Sequence, residues 1–145
     1  LHKTTDGLFK KIVTNKPKAD SLERHKKFSD HFVKIRRKGL SEEALKGEIE
    51  KYGIRTFPKP KGIPGDYIAE FSDKGAGIKY VNPKDSGTYV RVMPGKPHSP
   101  WPHQRKPYIC EKKYGKSLDK YGNSVKRKSR EAHIPINDYI YRRKK

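Results

Sequence analysis

Between Phe57 and Gly65 the chain reads FPKPKGIPG, and the hydrophobic period changes across this stretch. Upstream, apolar residues recur at helical spacing; downstream they alternate along extended chain. Three prolines and two glycines in nine residues make the stretch itself a connector rather than an element. Helices first and strands afterwards imply an α+β fold, with an N-terminal helical hairpin packed on a small twisted antiparallel β-sheet. The division is residues 1–56 as arm and helical hairpin, 57–66 as Pro/Gly connector and 67–145 as β-rich part, all within one compact domain.

Residues 1–18 lack a period and read as an arm. Asp20 and Glu23 have the spacing of a capping box, after which Leu22, His25, Phe28, Phe32 and Ile35 follow helical spacing to a stop at Gly39. Ser41 then caps a second helix, with Glu42 and Glu43 in its first turn. Ala44, Leu45, Ile49 and Tyr52 supply its apolar face, and Gly53 ends it. Strands are expected at 67–71, 77–81, 88–93 and 107–112, with a turn over 82–87. A strand or hairpin is expected over 116–125, turning at Tyr121-Gly122-Asn123, and a last strand over 134–141. The single cysteine, Cys110, excludes an internal disulfide framework and is read as a small core residue.

Composition enters through charge. The chain carries 36 Lys and Arg against 16 Asp and Glu, a net charge of +20. A folded domain with such a field is expected to meet a polyanion: nucleic acid first, an acidic protein that masks the same surface second. No stretch is apolar enough to span a bilayer and no basic helix has a strong apolar face, so no stable membrane association is expected.

The chemistry concentrates in TYVRVMPGKPHSPWPHQRKPY, residues 88–108. It starts as a strand with Val90 and Val92 on one face and Tyr89, Arg91 and Met93 on the other. It continues as a loop whose prolines restrict the backbone and lower the entropy cost of ordering it. The loop displays His98, Ser99, Trp101, His103, Gln104 and Arg105. Cleaving RNA without a metal requires a group to take the 2′-OH proton, a group to protonate the leaving 5′ oxygen and fixed positive charge for the phosphorane. Imidazoles suit the proton steps and Arg or Lys the charge. The candidate catalytic residues are His133, Arg91, Lys79 and His98. The candidates for seating RNA are Ser99, Trp101, His103, Arg105, Lys106 and Tyr108.

His98, His103, Cys110 and His133 match no zinc spacing, and acidic residues do not form the cluster of a magnesium nuclease, so no metal or cofactor is expected. Gly75-Ala76-Gly77 and Gly115-Lys116-Ser117 lack the rest of a nucleotide-binding motif and read as turns. The candidates also have structural readings: the catalytic candidate His133 can pin the last strand through a backbone carbonyl, and Trp101, a candidate for seating RNA, can plug the core.

The runs Arg91–Pro97 (RVMPGKP), Ser99-Pro100, Arg105–Tyr108 (RKPY), Leu118–Asn123 (LDKYGN) and Glu131–Pro135 (EAHIP) resemble the C-terminal toxin domains of bacterial polymorphic toxins, such as contact-dependent inhibition effectors, Rhs proteins and bacteriocins. The resemblance covers about residues 75–141. It implies a metal-independent ribonuclease of the barnase, EndoU, colicin and RelE group that cuts transfer or ribosomal RNA. It implies delivery by a larger carrier protein, action in the cytoplasm of a target bacterium and neutralisation by a cognate immunity protein, expected to be acidic. Apart from that complex a monomer is expected. The resemblance favours His133, Arg91, Ser99, Arg105 and Tyr108 as functional positions. A non-catalytic RNA-binding module and a metal-dependent DNase are the alternatives.

Overall fold

The computed structural model describes residues 21–32, 40–72 and 76–141. The expected cap at Asp20, the core position Ile35, the stop at Gly39 and the arm over 1–18 lie outside them. Residues 21–32 form helix α1. The second helix, α2, runs Glu42–Glu50. Ser41 Oγ accepts the backbone N–H of Ala44 at 3.2 Å, and Glu42 and Glu43 lie where the helix dipole favours anions. After the helix, Gly53 adopts a φ of 72° that a side chain would resist.

Six strands follow: β1 Ile68–Phe71, β2 Ile78–Asn82, β3 Asp85–Met93, β4 Tyr108–Lys113, β5 Lys116–Leu118 and β6 Ile134–Pro135. All pairings are antiparallel, in the order β1-β2-β3-β4-β5, with β6 also on β4. Two short strands therefore share one edge of β4: β5 at Glu111–Lys113 and β6 at Tyr108 and Ile109. The fold is α+β, with the helices N-terminal to the sheet.

Alternation along the strands divides the sheet into two faces. Ile78, Tyr80, Val90, Val92 and Ile109 join Phe28, Leu45, Ile49 and Phe71 in the main core beneath the helices. Tyr80 hands its hydroxyl hydrogen to the Glu42 carboxylate at 2.9 Å, tying the sheet to the first turn of α2. The connector contributes too: Ile63 is buried in this core and Phe57 packs against it, as does Tyr67 just after the connector. The opposite face carries Met93, Tyr108 and Cys110 as a second apolar cluster. Next to it the register aligns Glu70, Lys79, Arg91 and Cys110 in one row across four strands.

Several expectations are revised. Leu22 is exposed, whereas Ser21, His25 and Phe28 form the buried stripe of α1. The turn over 82–87 narrows to Pro83 and Lys84, because β2 extends through Asn82 and β3 begins at Asp85. The hairpin over 116–125 reduces to β5 and an isolated bridge, Leu118 to Ser124. The last strand ends at Pro135, which has no N–H to extend the ladder. Beyond it, Ile136–Asp138 turn as a 3-10 helix, and Tyr139 donates its hydroxyl to Glu111 at 2.9 Å. Among the described residues no helix is long and apolar enough to cross a membrane.

Candidate active site

The loop after β3 is built to hold its shape. Gly95 has a φ of 85°, and a Cβ there would lie 2.6 Å from the Lys106 carbonyl carbon, so only glycine lets the two loop ends approach. The Lys96 N–H donates to the Gln104 carbonyl at 2.7 Å, closing the loop at its base. Inside it, Ser99 is buried and its Oγ accepts from the Trp101 N–H at 3.1 Å. Arg105 Nε donates to the Ser99 carbonyl at 2.8 Å. Ser99 and Arg105, candidates for seating RNA, thus have polar groups engaged within the loop. Pro102–Gln104 form a 3-10 turn that turns His103 toward the sheet, while Trp101 stays 59% exposed with its ring 6.2 Å from that of His103.

His133 arrives from the other side. A 3-10 turn, Arg130–Ala132, is capped by Ser129, whose Oγ accepts from the Ala132 N–H, and β6 follows. The ring of His133 is buried at 7% exposure and lies 4.7 Å from the His103 ring and 5.1 Å from the Tyr108 ring. Its Nδ1 donates to the Ser129 carbonyl at 2.7 Å. This bond selects the tautomer with the Nε2 lone pair free to accept a proton. Burial, then the positive neighbours His103 and Arg91, hold the pKa of His133 below the ordinary imidazole value, against the opposing pull of the Ser129 carbonyl.

These side chains border a cleft of about 440 Å³ on the sheet face away from the helices. Arg91, Lys96, Lys112, Arg127 and Lys128 line it together with Tyr89, Trp101, His103, Tyr108, Cys110 and His133, and among the described residues no acidic side chain lines it. Arg91 Nε is buried there without a hydrogen-bond partner. A guanidinium N–H left so is costly unless an acceptor arrives. Burial pushes the Tyr108 phenol up to about 12 and raises the Cys110 thiol, the latter against Arg91 and Lys112, so both stay protonated at neutral pH. Lys79 stands opposite Arg91 in register, with Nζ 5.0 Å from the centre of the Tyr89 ring. A second cleft of about 800 Å³ lies beyond His103, Tyr108 and His133, which border both, and it includes the exposed Lys106.

The structure therefore brings together His133, Arg91, His103, Tyr108 and Trp101, with Lys79 one strand away. It does not bring His98 to them. The His98 Nδ1 lies 2.9 Å from Ser21 Oγ, its ring packs 5.3 Å from that of His25, and it borders neither cleft. The second imidazole at the site is His103. Lys112, Arg127 and Lys128 were not singled out from the sequence, although the basic run Lys126-Arg127-Lys128 shortly before His133 was a usable signal. Among the described residues no three His, Cys, Asp or Glu side chains are grouped to hold a metal ion. Comparison of the chain with family models, with curated protein sequences and with solved structures finds no match.

Proposed function

We propose that the chain is a metal-independent endoribonuclease, the toxin domain of a delivered bacterial protein, acting on transfer or ribosomal RNA and neutralised by an acidic immunity protein. The observation that carries this reading is the unpartnered Arg91 Nε in a cationic cleft that no carboxylate of the described residues lines and that two adjacent imidazoles border. A phosphodiester offers an acceptor to the guanidinium of Arg91, whose Nε has none, and RNA brings its own nucleophile.

In this mechanism Nε2 of His133 takes the proton of the ribose 2′-OH as the 2′ oxygen attacks phosphorus. The O2′–P bond forms and the P–O5′ bond breaks. His103 delivers a proton to the departing 5′ oxygen, leaving a 2′,3′-cyclic phosphate and a 5′-OH. Arg91 holds the phosphorane oxygens, and Lys79 strengthens the local field. Trp101 and Tyr108 bound the path of the strand, and the net charge of +20 supplies long-range attraction for RNA and immunity protein alike.

The test is incubation of the protein with total bacterial RNA in EDTA, beside His133→Ala. Discrete cleavage, lost in the variant, is the expected result. RNA that stays intact but shifts on a native gel would instead make the chain a binding module. Activity on DNA that requires a divalent ion would make it a DNase.

A further inference from the structure

The second cleft differs from the first in charge. Acidic and basic groups alternate around it, with Asp119 and Glu131 beside Lys120 and Arg130, whereas among the described residues the charged side chains of the first cleft are all cationic. Its volume is within the range of small-molecule sites, about 300–1,000 Å³. Tyr121 lies on its lining at 65% exposure, with Lys120 Nζ 5.3 Å from the ring centre. This exposed ring is carried on a stiff support. The Asp119 carboxylate accepts the backbone N–H groups of Tyr121 at 2.9 Å and Asn123 at 2.8 Å, and Gly122 takes a φ of 89° to complete the turn. An aromatic face held on a fixed turn binds with little further loss of freedom.

Carboxylates repel a phosphate backbone but not a nucleobase, which is neutral and carries both donors and acceptors on its edge. We infer that the second cleft seats one unpaired nucleobase against Tyr121 while the adjoining phosphate lies in the first cleft, so that the substrate is single-stranded RNA. A base inside a duplex is already stacked and paired, and cannot offer its face to Tyr121. The position of the scissile phosphate rests on the ribonuclease reading; the base seat itself is tested separately.

The experiment measures binding without cleavage. A labelled 2′-O-methyl oligonucleotide, which has no free 2′-OH, is titrated by fluorescence anisotropy as a single strand and as the matched duplex, against the natural protein, Tyr121→Ala and Tyr121→Phe. Tyr121→Ala is expected to weaken the single strand about ten-fold or more, the scale of one lost base stack. The duplex affinity should not change, and Tyr121→Phe should bind like the natural protein. Equal affinity of Tyr121→Ala for the single strand, or an equal loss on both forms, overturns the inference. If the natural protein cleaves RNA while Tyr121→Ala binds normally, the base seat alone falls. If it cleaves no RNA and Tyr121→Ala still loses the single strand selectively, the ribonuclease reading alone falls.

Discussion

Ser21 Oγ and His98 Nδ1 lie 2.9 Å apart, joining helix α1 to the loop of the site across 77 residues of chain. His98 is thus a fastener between the helical layer and the loop that carries Trp101 and His103. His98→Ala should cost about 1 kcal/mol of stability, the scale of one hydrogen bond, and reduce RNA cleavage by less than ten-fold. His133→Ala should reduce cleavage by roughly 10²–10⁴. Thermal melts and single-turnover rates on the two variants check the contrast.

Acid should loosen the protein before its carboxylates titrate. Burial, then the positive charge of Lys96 and of His98, depresses the pKa of His25 from 6.5 to about 4. Burial and Lys96 lower His98, and burial, His103 and Arg91 lower His133. Each of these groups binds its proton more readily in the unfolded chain. Their stabilisation is therefore complete above pH 6.5 and declines as pH falls toward 4. A shift as large as that of His25 corresponds to roughly 3 kcal/mol. Glu42, whose burial is outweighed by its bonds to Lys46 and Tyr80, contributes at lower pH, as its depressed pKa is approached. Denaturant midpoints between pH 7 and 4 should fall, and His25→Asn should flatten that slope.

Arg91 sets function against stability. Its buried Nε lacks a partner, so Arg91→Met should leave the melting temperature unchanged or raise it by a few degrees. On the ribonuclease reading the same variant should lower cleavage at least 100-fold, because the phosphorane would lose its fixed charge. A calorimetric scan alongside the RNA assay separates the two effects.

Gly95 controls the loop through geometry alone. Gly95→Ala places a methyl group 2.6 Å from the Lys106 carbonyl carbon at a φ of 85°. The strain should cost about 2 kcal/mol and displace His103, lowering cleavage well beyond the effect of lost stability. Tryptophan fluorescence of Trp101, the single tryptophan, reports the displacement directly.

The parts of the fold that follow from local chemistry were legible. Ser41 caps its helix because a hydroxyl there meets an orphan N–H, and β3 sends Val90 and Val92 to the core under the helices and Met93 to the cluster on the other face, as strand pleating requires. The separation of His98 from His103 was not legible. They lie five residues apart in a proline-rich loop without a period, and only the path of that loop sends one to α1 and the other to His133. The length of the last strand was overread for a related reason. Alternation over 134–141 fitted a strand, but the Tyr139 hydroxyl has a partner in Glu111 and the core accepts Ile136, so the chain turns. Arg127 and Lys128 belong to the cleft only through tertiary position.

β6 is two residues long and shares its edge of β4 with β5, which is made earlier in the chain. Strands β1 to β5 can therefore hydrogen-bond into a sheet before the segment carrying His133 has docked. Fraying at this two-residue strand is therefore expected to disturb the imidazole pair while the rest of the sheet persists. Amide exchange should find Ile134 opening far more often than Val90, which would make the integrity of the site a local equilibrium distinct from that of the fold.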